Sequence, residues 1–240
     1  MKSSIYILFF FIFLAQIVRA EVSVKIIKST GDAKVRFGLD EEWQKSAVGI
    51  NLKEIDTILT GENGEIVLQF ESGKKFMLGN NSILDIGDLR EIQEQELFLF
   101  LMAKKVDKIE PRQEKTKLRI GDISSLHGSK KASDDTSQAT LIDNLDADKE
   151  INGSIALYMQ NYYTNTLYKL YNLLDKYKSK LNLGKVNFYI AKAFEALDKK
   201  GQALDAYQRV IQNYENIDSL TQVEKKYLIE SKTMIEILKQ

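Results

Sequence analysis

The sequence predicts an α+β chain of separate domains, an all-β barrel or sandwich followed by an array of α-helical hairpins. Two observations carry this. Apolar and polar residues alternate from Val22 to Ile86, with Gly- and Asn-containing separators between the runs. From Ile151 onward the apolar spacing becomes helical, and one helical face recurs at an offset of 36 residues.

The first element is an address. Lys2 precedes an apolar run from Ile5 to Ala15, and Val18 and Ala20 supply the small residues a signal peptidase reads before Glu21. As a helix the run reaches about 17 Å, and about 21 Å if stretched to Val18, against the ~30 Å of a bilayer core. Residues 1–20 therefore read as a secretory signal peptide cleaved between Ala20 and Glu21. The expected destination is the periplasm of a bacterial envelope. Removing Lys2 and Arg19 leaves 32 basic against 34 acidic residues. No later stretch is long and apolar enough for a second span.

The β part is expected over 21–128. Val22, Val24 and Ile26 alternate with Ser23 and Lys25, and Ala33, Val35 and Phe37 alternate with Lys34 and Arg36. Further strands are expected at 66–70, 75–78 and 83–86, parted by Gly61–Gly64, Glu71–Gly73 and Gly79–Ser82. Trp43, the only tryptophan, is expected as a core plug.

The order Gly31-Asp-Ala-Lys-Val35, Trp43-Gln-Lys-Ser-Ala47, Gly49, Leu52, Asp56, Ile58-Leu-Thr60-Gly61, Ile66–Phe70, Gly73, Leu78 and Ser82-Ile-Leu84 resembles a FecR-type domain over 22–90. Ile55 stands where that family usually has glycine. The resemblance implies a closing strand at Arg119–Leu126. It also implies an alternative function, envelope sensing and regulation by a protein anchored through an uncleaved N-terminal segment.

From Arg90 to Glu110, helix formers surround the apolar run Leu97–Ala103, and Pro111 provides a stop, so a helix is expected near 91–109. Residues 129–150 are rich in Ser, Asp, Lys and Thr, with Leu141, Ile142 and Leu145 the only large apolar side chains. Ordering those 22 residues costs on the order of 20–40 kcal/mol of backbone entropy, and three aliphatic burials return about 5–9 kcal/mol. A flexible linker is expected. Its acids, Asp143, Asp146, Asp148 and Glu150, lack the Gly and Glu spacing of a calcium loop and read as solvated charge.

The helical part is expected over 151–240, with helices near 151–160, 164–181, 185–198, 201–215 and 221–238. Leu167, Leu170, Tyr171 and Leu174 align with Ala203, Ala206, Tyr207 and Val210. Ile190-Ala191, Phe194, Ala203, Tyr207 and Val210 make the second copy similar to a tetratricopeptide unit, although Glu215 replaces the usual terminal Pro. The resemblance implies a partner-binding surface on the first helix of that unit, formed by Lys185, Phe188, Lys192 and Glu195.

Composition limits the chemistry. With 34 basic and 34 acidic residues the chain lacks the excess that nucleic-acid binding requires. The absence of Cys removes disulfides, thiolate nucleophiles and thiolate metal sites. The single His, at 127 beside Gly128, has no Ser or Asp in a triad-like motif and reads as a loop residue. The expected function is a non-enzymatic adaptor or scaffold without cofactor or metal, binding an envelope protein or peptide. Its oligomeric state is open.

Overall fold

The computed structural model describes residues 22–106, 136–177 and 181–240. The signal segment with its Ala20–Glu21 junction, His127 and the Arg119–Leu126 strand lie outside the described residues.

Eight strands form the first part: β1 Ser23–Thr30, β2 Ala33–Arg36, β3 Gln44–Lys45, β4 Asn51–Lys53, β5 Thr57–Thr60, β6 Glu65–Phe70, β7 Lys75–Leu78 and β8 Ser82–Asp85. They make two antiparallel four-stranded sheets, ordered β4-β1-β6-β7 and β3-β2-β5-β8. The arrangement is therefore a sandwich, and the expected alternative of a closed barrel is not realised. Alternation dictates the filling: Val24, Ile26, Leu52, Ile66, Leu68, Phe76 and Leu78 of one sheet meet Val35, Ile58 and Leu84 of the other.

Two of the turns at which the chain crosses between sheets, β1 to β2 and β5 to β6, interlock. Gly61 N donates to the Asp32 carbonyl at 2.7 Å. A Cβ on Gly31, whose φ is +65°, would lie 1.9 Å from the Asn63 carbonyl oxygen, and one on Gly64 would lie 2.2 Å from that of Asp32. Gly61–Gly64 is thus a passage between layers rather than the hairpin turn its composition suggests. Three strands, β3, β4 and β5, are not among those expected: β3 and β4 are two and three residues long and hold no period, and β5 is buried at Thr57, Ile58 and Thr60 without alternating.

Trp43 corrects an expectation. It is half-buried outside the core, with the Arg36 guanidinium 5.1 Å above its ring. The core positions its bulk would fill are taken by aliphatic side chains of strands with better alternation.

After the 3₁₀ turn Ile86–Leu89, six α helices follow among the described residues: α1 Glu94–Val106, α2 Thr136–Met159, α3 Tyr163–Tyr177, α4 Leu183–Ala196, α5 Lys200–Tyr214 and α6 Gln222–Leu238. Successive helices from α2 onward pack on one another across short loops, as helical hairpins do. Leu167, Leu170, Ala203, Ala206, Tyr207 and Val210 are all buried, as their spacing predicts. Asn182 caps α4 by accepting from Lys185 N, and Thr221 with Glu224 forms a capping box on α6. Gly184 lets Tyr214 close on α4, since a Cβ there would stand 2.1 Å from the ring.

The linker is the principal correction. Within 129–150, residues from Thr136 onward are helical as the start of α2. The entropy balance counted only aliphatics inside the segment, whereas α2 gains its burial from Ala147, Ile151 and Leu157 together. Glu150 is no solvated charge either: its Oε1 accepts from Lys176 Nζ and from the Tyr177 hydroxyl, both at 2.7 Å.

Ile151 packs in the helical core, and Leu157, on the same helix, packs in the β core. Gly153 between them lies against β8, where an added Cβ would be 1.9 Å from the Ile83 carbonyl oxygen. Gln160 then pairs with the edge strand β7, accepting from Met77 N at 2.7 Å and donating to Met77 O at 2.8 Å. Its carboxamide occupies the place of a neighbouring strand's peptide unit.

Candidate functional site

The first helices of the hairpins meet through aromatic rings. Tyr158 of α2 packs edge-on against Tyr189 of α4, with centroids 5.6 Å apart. Phe188 of α4 stacks on Tyr227 of α6 at 4.4 Å and meets Tyr207 edge-on at 6.3 Å. This filling decides the fate of the partner surface expected from sequence.

Phe188 is only 5% exposed, so it belongs to the core and offers no anchor. The helix α6 covers it with Tyr227. Lys192 Nζ lies 3.3 Å from Glu195 Oε2 and 3.5 Å from Glu230 Oε1. Glu195 Oε2 also accepts from the Tyr207 hydroxyl at 2.5 Å. Burial pulls the Lys192 pKa down, but Glu195 and Glu230 outweigh it and the net direction is up. Tyr207 is raised, first by burial and then by Glu195. These polar groups satisfy one another within the array.

Lys185, by contrast, lines a cavity. Its Nζ donates to Asn152 Oδ1 at 2.9 Å, and Asn152 Nδ2 donates to the Asn81 carbonyl at 2.7 Å. Burial depresses the Lys185 pKa, with Asp148 opposing. Glu62, Asn81, Asp148, Lys149, Asn152, Asn182 and Lys185 line this polar cleft of about 550 Å³, where the β turns, α2 and α4 converge.

A second opening was missed by sequence reading. Leu97, Phe98 and Leu101 of α1, with Phe194 of α4, line an apolar groove of about 490 Å³. Its rim carries Glu94, Gln95, Lys199 and Gln202, and Lys199 Nζ pairs with Glu94 Oε1 at 3.0 Å. Leu97 is buried while Phe98 is 60% exposed, with Leu99 and Met102 also outward. The uninterrupted apolar run concealed this, because α1 is apolar on its outer face as well as on its inner one. A sequence signal was present: a buried-looking helix carrying more apolar residues than one face can hide.

Among the described residues, no three or more His, Asp or Glu side chains converge as a metal site would require. Among them, too, no helix is long and apolar enough to cross a membrane. The chain matches no protein-family model, no curated protein and no solved structure.

Proposed function

We propose that this protein is an exported, non-enzymatic adaptor that holds a protein or peptide partner of the envelope. The N-terminal address supports export, and the lack of Cys with a single His supports a role other than catalysis. The resemblances to FecR and tetratricopeptide units support a binding role.

The observation that carries the reading is the outer face of α1. Phe98 lines the groove with Leu97, Leu101 and Phe194, and Leu99 and Met102 are exposed on the same helix. Such a groove suits an amphipathic helix presenting apolar residues at i, i+3 or i+4, and i+7, with polar rim groups to orient it. Binding therefore moves from the expected Phe188 face, filled by Tyr227, to the α1 groove.

The test is photo-cross-linking in the native host from a probe at position 98 or 102, with position 223 of α6 as reference. Discrete adducts from 98 and 102, removed by Leu101→Glu, are expected. Identical adducts from all three positions, or none from 98 and 102, reject the groove.

A further inference from the structure

The two outer faces of the sandwich differ in how many lysines they leave without an ion pair: among the described residues Lys45, opposite Lys34, is the one on the sheet β3-β2-β5-β8, against three on the other sheet. On the sheet β3-β2-β5-β8, Lys34 lies 3.6 Å from Asp32, and Arg36 donates to Thr57, which donates to Asp85. On the sheet β4-β1-β6-β7, the outward residues include Ser23, Lys25, Asn51, Lys53, Val67, Gln69, Lys75 and Met77. Lys28 is paired there with Glu65 at 2.6 Å, but Lys25, Lys53 and Lys75 form no ion pair among the described residues.

Register places these three lysines in two dimensions. Lys25 stands opposite Gln69, and Gln69 opposite Lys75, so the two lysines are two strands and about 10 Å apart. Lys53 sits on the other neighbour of β1, opposite Ser23 and roughly 8 Å from Lys25. All three are exposed. Lysines on edge strands deter strand pairing, which accounts for Lys53 and Lys75; Lys25 is on a central strand and has no such task.

We infer that this face docks on an anionic lipid surface. Charges spread over three strands match a planar lattice of headgroups, whereas a linear polymer would follow a single row. None of these outward residues is aromatic, so the face has nothing on which bases would stack. Exposed Met77, with half-buried Val67 beside it, adds aliphatic contact at one margin. The attraction is short-ranged and salt-sensitive.

The test uses the full chain with vesicles of phosphatidylcholine alone or mixed with phosphatidylglycerol. The readout is the ratio of the two partition coefficients, compared between variants that share the same N-terminal segment, so that its apolar run and its Lys2 and Arg19 contribute equally to each. The triple variant Lys25→Gln, Lys53→Gln, Lys75→Gln should lower that ratio by about fivefold per lysine. Lys225→Gln, Lys226→Gln, Lys232→Gln on α6 removes the same charge elsewhere and should leave the ratio nearly unchanged. Single Lys25→Gln repeats the measurement should the triple variant unfold. Equal losses in the two triple variants, or no preference of the unaltered protein for anionic vesicles, overturn the inference. So does capture of soluble polyphosphate through the same lysines without any vesicle preference.

Discussion

The Lys169 ammonium of α3 lies 2.5 Å from Asp88 Oδ2 in the 3₁₀ turn that follows the sandwich, with Asp85 Oδ2 at 3.8 Å. Only 5% of the lysine side chain is exposed. Asn165, one turn earlier, donates to the carbonyls of Asp88 and Arg90, both at 2.7 Å. Burial pulls the Lys169 pKa down, but Asp88 and Asp85 more than restore it, so its net direction is up. The β sandwich and the helices are thus joined by a desolvated charge pair and its hydrogen bonds.

Removing one partner strands the other. Lys169→Met should cost about 3 kcal/mol, because the Asp88 carboxylate stays behind without its cation. Adding Asp88→Leu should recover much of that loss. Denaturant unfolding of the single and double variants checks it; a double variant as unstable as the sum of its singles contradicts the coupling.

Gly153→Ala places a Cβ 1.9 Å from the Ile83 backbone oxygen, which no rotamer can relieve. A loss of about 2 kcal/mol is expected, with faster amide exchange in β8. Gly201→Ala meets nothing within 4 Å on α5 and should stabilise by about 0.5 kcal/mol. The pair of denaturation curves distinguishes a steric contact from a general effect of glycine replacement.

Phe188 and Phe98 should behave oppositely. Phe188→Ala empties a site bounded by Tyr189, Tyr207 and Tyr227 and should cost about 3–5 kcal/mol. Phe98→Ser should change stability by less than about 0.5 kcal/mol while abolishing cross-links from the groove. Comparable destabilisation by both would refute the assignment of Phe98 to a binding face.

Alkaline pH should unfold the helical array. Tyr207, Tyr189 and Tyr214 are all pushed above the ordinary 10.0, each mainly by burial. The folded state therefore keeps protons that the unfolded state loses. Their contribution is complete below about pH 10 and declines above it, by up to about 1.4 kcal/mol per pH unit for each group. Lys169, also raised, acts in the same direction. Tyrosinate absorbance should lag behind pH until helix content falls; early titration of these tyrosines in the folded protein would contradict the burial argument.

Periodicity made most of the fold legible. Val24 and Ile26 alternate cleanly on β1, and Leu167 with Leu170, like Ala203 with Ala206, mark helical faces whose burial followed. What stayed hidden depends on partners distant in sequence. The helix α2 looked polar because Ala147, Ile151 and Leu157 are spread over three turns and divided between two cores. Phe188 looked like an exposed anchor because nothing in α4 announces that Tyr227 lies above it. Phe98 is not distinguished within its apolar run, because Leu97, Phe100 and Leu101, which do turn inward, stand beside it.

One consequence follows from the divided loyalty of α2, whose Ile151 and Leu157 serve different interiors. A cut made anywhere along this helix would wound both halves, so neither half is a free-standing fragment for dissection.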